Sequence, residues 1–122
     1  MKVNFKNLEK KIRIKFKNID LMTQSLTHKS FDSIKNNEKL EFLGDRVLGL
    51  VIAKKLLEIY PHERKGVLDK KFASLVNKNT CLEIAKKINL DKYILTFNSH
   101  NKKIKIEDKI ISDCCEALIG AI

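Results

Sequence analysis

Five carboxylates stand out by type and spacing: Glu38, Glu41 and Asp45, then Asp113 and Glu116. The first three lie three and four residues apart, so on a helix they line one edge. Leu48 and Ile52 continue that edge, which turns apolar within a turn. Asp113 and Glu116 share an edge in the same way. The surrounding segments are otherwise poor in charge. From Phe42 to Ala53 only Asp45 and Arg46 are charged, and from Ile110 to Ile122 only Asp113 and Glu116. Helices this apolar are expected to be central and buried on most sides. A buried carboxylate is costly unless it is paired or binds metal. Lys39, Arg46 and Lys109 are near enough in sequence to form salt bridges, although their helical angles need not point at the same edge. A divalent cation is the other answer. Mg²⁺ takes oxygen ligands in near-octahedral geometry, with few carboxylates and several waters. For any single acid a surface or capping role is the plainer reading; Glu38 and Glu107 suit helix N-termini through the macrodipole. Glu41, Asp45, Asp113 and Glu116 together favour a metal. Gly44 and Gly49 point the same way. A mid-helix glycine costs about 1 kcal/mol relative to alanine, so it marks close approach of another backbone or a partner.

The elements that must position these residues read as helices. The chain has 122 residues, 43% hydrophobic and 33% charged, with 1 Pro, 4 Gly and no Trp. That suits one soluble domain, or part of one, and a helical rather than a many-turned β architecture. The pattern predicts a short helix over Leu8–Phe16 and a second, capped by Asp20, carrying Leu21, Met22 and Leu26. A polar loop over 30–37 precedes a long helix, Glu38–Ile59, stopped by Tyr60-Pro61. After a charged loop, His62–Gly66, one helix capped by Asp69 is expected to run to about Ile88. A short turn over Asp91–Leu95 and a basic loop, Phe97–Lys105, lead to a last helix starting near Glu107. That helix still runs at Ile122 with no stop signal, which leads us to expect truncation in the last helices.

Lys and Arg number 25 against 15 Asp and Glu, for a net charge of +10. Such a balance suits a polyanionic partner, nucleic acid above all, though a Lys-rich proteome can give it with no ligand. The apolar run Val47–Ala53 is too short to span a bilayer, and the first residues lack a signal-peptide core. No membrane association and a cytoplasmic location are expected. Cys81, Cys114 and Cys115 have neither disulfide-framework nor zinc spacing; reduced, buried roles are expected.

At these residues the chain resembles the ribonuclease III family. The segment Asn37-Glu-Lys-Leu-Glu-Phe-Leu-Gly-Asp-Arg-Val-Leu48 is similar to that family's signature helix. Leu26-Thr-His-Lys-Ser30 resembles its N-terminal motif. Leu75-Val-Asn77, with Thr80 beyond, resembles its middle helix, and Asp113–Ile122 its second acidic helix. The likeness covers essentially the whole chain. It implies an all-α endonuclease domain, a helical bundle over residues 1–122, acting as a homodimer on double-stranded RNA. Carried over by position, Glu41, Asp45, Asp113 and Glu116 match the metal-binding acids, Asp45 and Glu116 being catalytic. Glu38 matches a further acid of the signature. The implied reaction is Mg²⁺-dependent phosphodiester hydrolysis, with Mn²⁺ a possible substitute. It leaves 5′-phosphate and 3′-hydroxyl ends, in ribosomal or messenger RNA processing. Candidate RNA contacts are Glu38, Lys70, Lys71, Asn77, Lys102, Lys103 and Lys105. Phe42 is a candidate for the dimer interface. One departure is Lys65, where the family often has an acid before the glycine matched to Gly66; Glu63 lies two residues earlier. The rival readings are a non-catalytic RNA-binding relative of the same fold, and a helical interaction domain whose acids only form salt bridges.

Overall fold

In the computed structural model, residues 5–97 and 105–122 are described. Among them are six α-helices: α1 (Lys6–Ile12), α2 (Ile19–Ser25), α3 (Glu38–Ile59), α4 (Lys65–Leu75), α5 (Lys78–Lys87) and α6 (Asp108–Ala121). A 3-10 turn, Leu90–Tyr93, follows α5. No strand occurs among the described residues; one parallel bridge joins Thr27 to Leu95. The all-α class expected from the patterning is the one observed. No helix among them is long and apolar enough to cross a membrane.

α6 is the central helix. Ile111, Cys114, Cys115, Ala117 and Leu118 are buried along it. Against them pack Phe5, Leu8 and Phe16 from the N-terminal segment, Met22 and Leu26, and Cys81 and Ala85 of α5. All three cysteines are free and buried, as expected. Burial pushes the Cys114 thiol up to about 12, so it stays protonated and acts as a small apolar group.

α3 has the bounds its sequence predicts but not the burial. Only Gly44 and Leu56 are buried on it. Phe42 is 62% exposed and Leu50 72%. Apolar residues surround the helix, yet α6 covers only one side of it. The two glycine expectations divide. A Cβ on Gly44 would run into the backbone carbonyl of Glu116, so this glycine does permit close crossing of α3 and α6. Gly120 makes the reciprocal approach to the Leu40 carbonyl. At Gly49 a Cβ would meet only the Phe72 ring at 3.5 Å, an ordinary contact, so no close approach requires it.

Other boundaries move for local reasons. α1 ends at Ile12 rather than Phe16, because Arg13 takes the left-handed conformation at φ 58. The Glu9 carboxylate then accepts from the Phe16 amide at 2.8 Å. Asn18, not Asp20, caps α2 through the Leu21 amide. The single helix expected over Asp69–Ile88 is two helices. Asn77 breaks it by serving both ends. Its Nδ2 donates to the Ala73 and Ser74 carbonyls at 3.0 Å each, and its Oδ1 accepts from the Thr80 amide at 2.8 Å. α4 starts at Lys65, inside the loop expected over His62–Gly66, and Asp69 lies within the helix rather than capping it.

Candidate metal centre

The Gly44–Gly120 crossing brings the first turns of α3 against the middle of α6. One carboxylate oxygen from each of Glu41, Asp113 and Glu116 lies within 4.8 Å of the others. Their side chains are 29%, 14% and 4% exposed, so the group descends from rim to floor. Lys78, the first residue of α5, reaches all three. Its Nζ lies 3.4 Å from Glu41 Oε1 and 2.7 Å from Asp113 Oδ1, and bonds Glu116 Oε1 directly. Lys109, one turn before Asp113, takes that residue's other oxygen at 2.7 Å. Asp45 stands at the mouth, 3.2 Å from the Arg46 guanidinium, which also lies over the Phe42 ring. Asp45 and Glu116 line one cleft of about 230 Å³, with Leu48, Val76, Asn77, Lys78 and Cys81.

The electrostatics record the crowding. Burial raises the pKa of Glu116; Lys78 opposes this, and the neighbouring Asp45 carboxylate adds to the rise. Burial also works against ionisation of Asp113, but the two lysine hydrogen bonds outweigh it and hold its pKa below the usual value. Burial works against the Lys78 ammonium as well, and its bonds to Asp113 and Glu116 more than offset that. Within the three-acid group two ammonium ions face three carboxylates, which leaves negative charge in a partly desolvated hollow. The donors are all oxygen. Such a site fits a hard divalent cation such as Mg²⁺.

Of the four acids read as metal ligands, Glu41, Asp113 and Glu116 form the tight group; Asp45 shares their cleft from the rim. Glu38 is exposed and lines the neighbouring hollow with Glu41, Phe42 and Asp45. Lys71 does not face the acids; its ammonium sits over the Tyr60 ring at 4.2 Å. Asn77 lines the cleft while capping its two helices. Lys70 and Lys105 are exposed. Lys102 and Lys103 lie outside the described residues. Glu63 accepts from the Arg64 amide at 3.3 Å and is not part of the acid group. Of the expected salt-bridge partners, Arg46 and Lys109 form bridges; Lys39 makes none among the described residues. Lys78 was not anticipated. It is 35 residues from Asp113 and on a different helix, so no periodicity links them. The only available signal was an excess of acid needing a cation.

The comparisons with known proteins agree on one family. A profile described as Ribonuclease-III-like matches residues 18–122. Ribonuclease 3 of Pelagibacter ubique is 72% identical over 122 residues, 100% of this chain and 55% of that protein. Ribonuclease 3 of Campylobacter jejuni is 42% identical over 98% of this chain and 54% of its own length. The chain thus spans about half the length of the curated relatives it matches. A solved nuclease domain of the Campylobacter jejuni enzyme superposes with a TM-score of 0.88 at 41% identity, over 97% of this chain and 83% of that one. That structure shows flexibility in a region involved in dimer formation of the nuclease domain.

Proposed function

The chain belongs to the ribonuclease III family, and from that premise we propose a double-stranded-RNA-specific endoribonuclease, with residues 1–122 as its nuclease domain. The observation that carries the proposal is the convergence of Glu41, Asp113 and Glu116 from two helices far apart in sequence. Glu41, Asp45, Asp113 and Glu116 would hold Mg²⁺, or Mn²⁺ in its place. When bound, the ion lowers the pKa of a coordinated water and neutralises charge developing on the phosphate. Glu116, on the floor, holds its carboxylate where solvent cannot compete for it. Asp45, at the mouth, would accept a hydrogen bond from the attacking water. Water adds to phosphorus and the bond to the 3′ oxygen breaks, leaving 5′-phosphate and 3′-hydroxyl ends. The basic surface, Lys71 and Lys105 included, would meet the phosphates of a duplex read by shape. Action in the cytoplasm on ribosomal or messenger RNA precursors completes the proposal.

The purified protein should cut long duplex RNA in the presence of Mg²⁺, leave single strands intact, and stop when chelator is added. Gel analysis of end-labelled duplex reads all three; cleavage that persists in excess chelator would refute the metal-dependent reading. The ion pairs of Lys78 and Lys109 favour one rival, a helical domain whose acids serve only as structural charges. Saturable binding of Mn²⁺ separates the two.

We assign the exposed face of α3 to a second copy of the chain. Leu43, Val47, Leu50 and Leu57 recur at helical spacing and are 48%, 37%, 72% and 59% exposed. A stripe of this kind marks an interface. A two-fold pair places two centres on one duplex, one for each strand. Leu50→Lys is expected to turn a dimer into a monomer in analytical ultracentrifugation, with the helical content in circular dichroism unchanged. A dimer that survives this substitution would move the interface elsewhere.

A further inference from the structure

The ammonium of Lys78 occupies the place among Glu41, Asp113 and Glu116 where a divalent ion would sit. We infer that Lys78 is a displaceable internal cation, which holds the acid group together without metal and must be expelled before metal enters. The inference rests on the metal-binding reading above. Three observations carry it.

Lys78 bonds to every member of the three-acid group, so an ion and this ammonium would compete for the same oxygens. Mg²⁺ and its waters need the space that the ammonium fills. Lys78 is also easily released. Its side chain is 53% exposed, on a flexible stem that can turn to solvent without repacking the core. Among the described residues its ammonium makes no ion pair beyond these three acids, and at the start of α5 the positive end of the helix dipole disfavours a cation. Finally, something must neutralise the group when metal is absent. Glu116 lies almost wholly out of water, and an unpaired carboxylate there would be costly. Among the described residues Lys109 bonds only Asp113 Oδ2, so it does not replace Lys78 at Glu116.

Competition has a thermodynamic signature distinct from activity. Metal affinity is reduced by the cost of expelling the resident ammonium, and that cost disappears with the charge. Lys78→Met is therefore expected to bind Mn²⁺ about tenfold more tightly than the parent, equivalent to about 1.4 kcal/mol. Without metal the same variant should melt lower, by about 4 °C or more. Saturating Mn²⁺ should raise its melting temperature by more than it raises the parent's. Isothermal titration with Mn²⁺ and thermal melts with and without the ion provide these readouts, independently of RNA cleavage. Should Lys78→Met not fold without metal, Lys78→Gln carries the same comparison, since it keeps hydrogen bonds to the acids but not the charge. Equal Mn²⁺ dissociation constants for parent and variant would overturn the displacement while leaving the metal site standing. Absence of Mn²⁺ binding to either protein would overturn the metal reading itself, and Lys78 would then be a permanent counter-ion.

Discussion

Glu116→Gln is expected to reduce duplex RNA cleavage at least about a thousandfold, at about 1.4 kcal/mol of transition-state stabilisation for each factor of ten. The change is nearly isosteric. It removes one negative charge from the floor of the cleft, where only 4% of the side chain meets solvent. An amide is a poor ligand for Mg²⁺ compared with a carboxylate, and it leaves Glu41, Asp45 and Asp113 to bind without it. The fold should survive, because Lys78 keeps its 2.7 Å bond to Asp113 and the α3–α6 crossing depends on glycines, not on this side chain. Single-turnover cleavage of a defined duplex measures the loss, and circular dichroism checks the fold. Cleavage within tenfold of the parent would remove Glu116 from the chemistry.

The second large effect is on stability. Gly44→Ala should destabilise the protein by about 3 kcal/mol, the upper end of the cost of overpacking. The added methyl would collide with the Glu116 carbonyl and crowd the Gly120 amide at 2.9 Å. Both are backbone atoms inside a helix, so no rotamer change relieves them. α3 must lift away from α6, which also pulls Glu41 and Asp45 from Asp113 and Glu116; metal binding should weaken together with stability. Gly49→Ala on the same helix is the control. Its methyl meets only the Phe72 ring at 3.5 Å, and alanine is the better helix former by up to about 1 kcal/mol. Urea unfolding of both variants decides the matter: equal midpoints would mean that the tight crossing is not what holds these helices together.

These contrasts show which parts of the fold were legible in the chain. The bounds of α3 followed from local signals, since acids favour its first turn and Pro61 stops it. The break at Asn77 was not legible. Apolar spacing runs across it, while the competing signal is a single side chain whose amide satisfies both helix ends. The all-round apolar character of α3 suggested burial, but hydrophobicity alone does not say what covers a helix. α6 covers a single side, and Leu50 and Phe42 are largely exposed.

The candidate site divides along the same line. Residue types and spacing were enough to select Glu41, Asp45, Asp113 and Glu116 as acids in apolar helices needing a cation, because charge in an apolar stretch is visible along a single chain. The tertiary structure alone decided that Glu41, Asp113 and Glu116 form the tight group, that Asp45 stands at the mouth, and that the ammonium of Lys78 lies between them. Helical periodicity specifies neighbours along one rod. Which rods touch, and which side chain from a third reaches into their seam, depends on how closely the backbones pack, and here that distance is set by the missing Cβ atoms of Gly44 and Gly120.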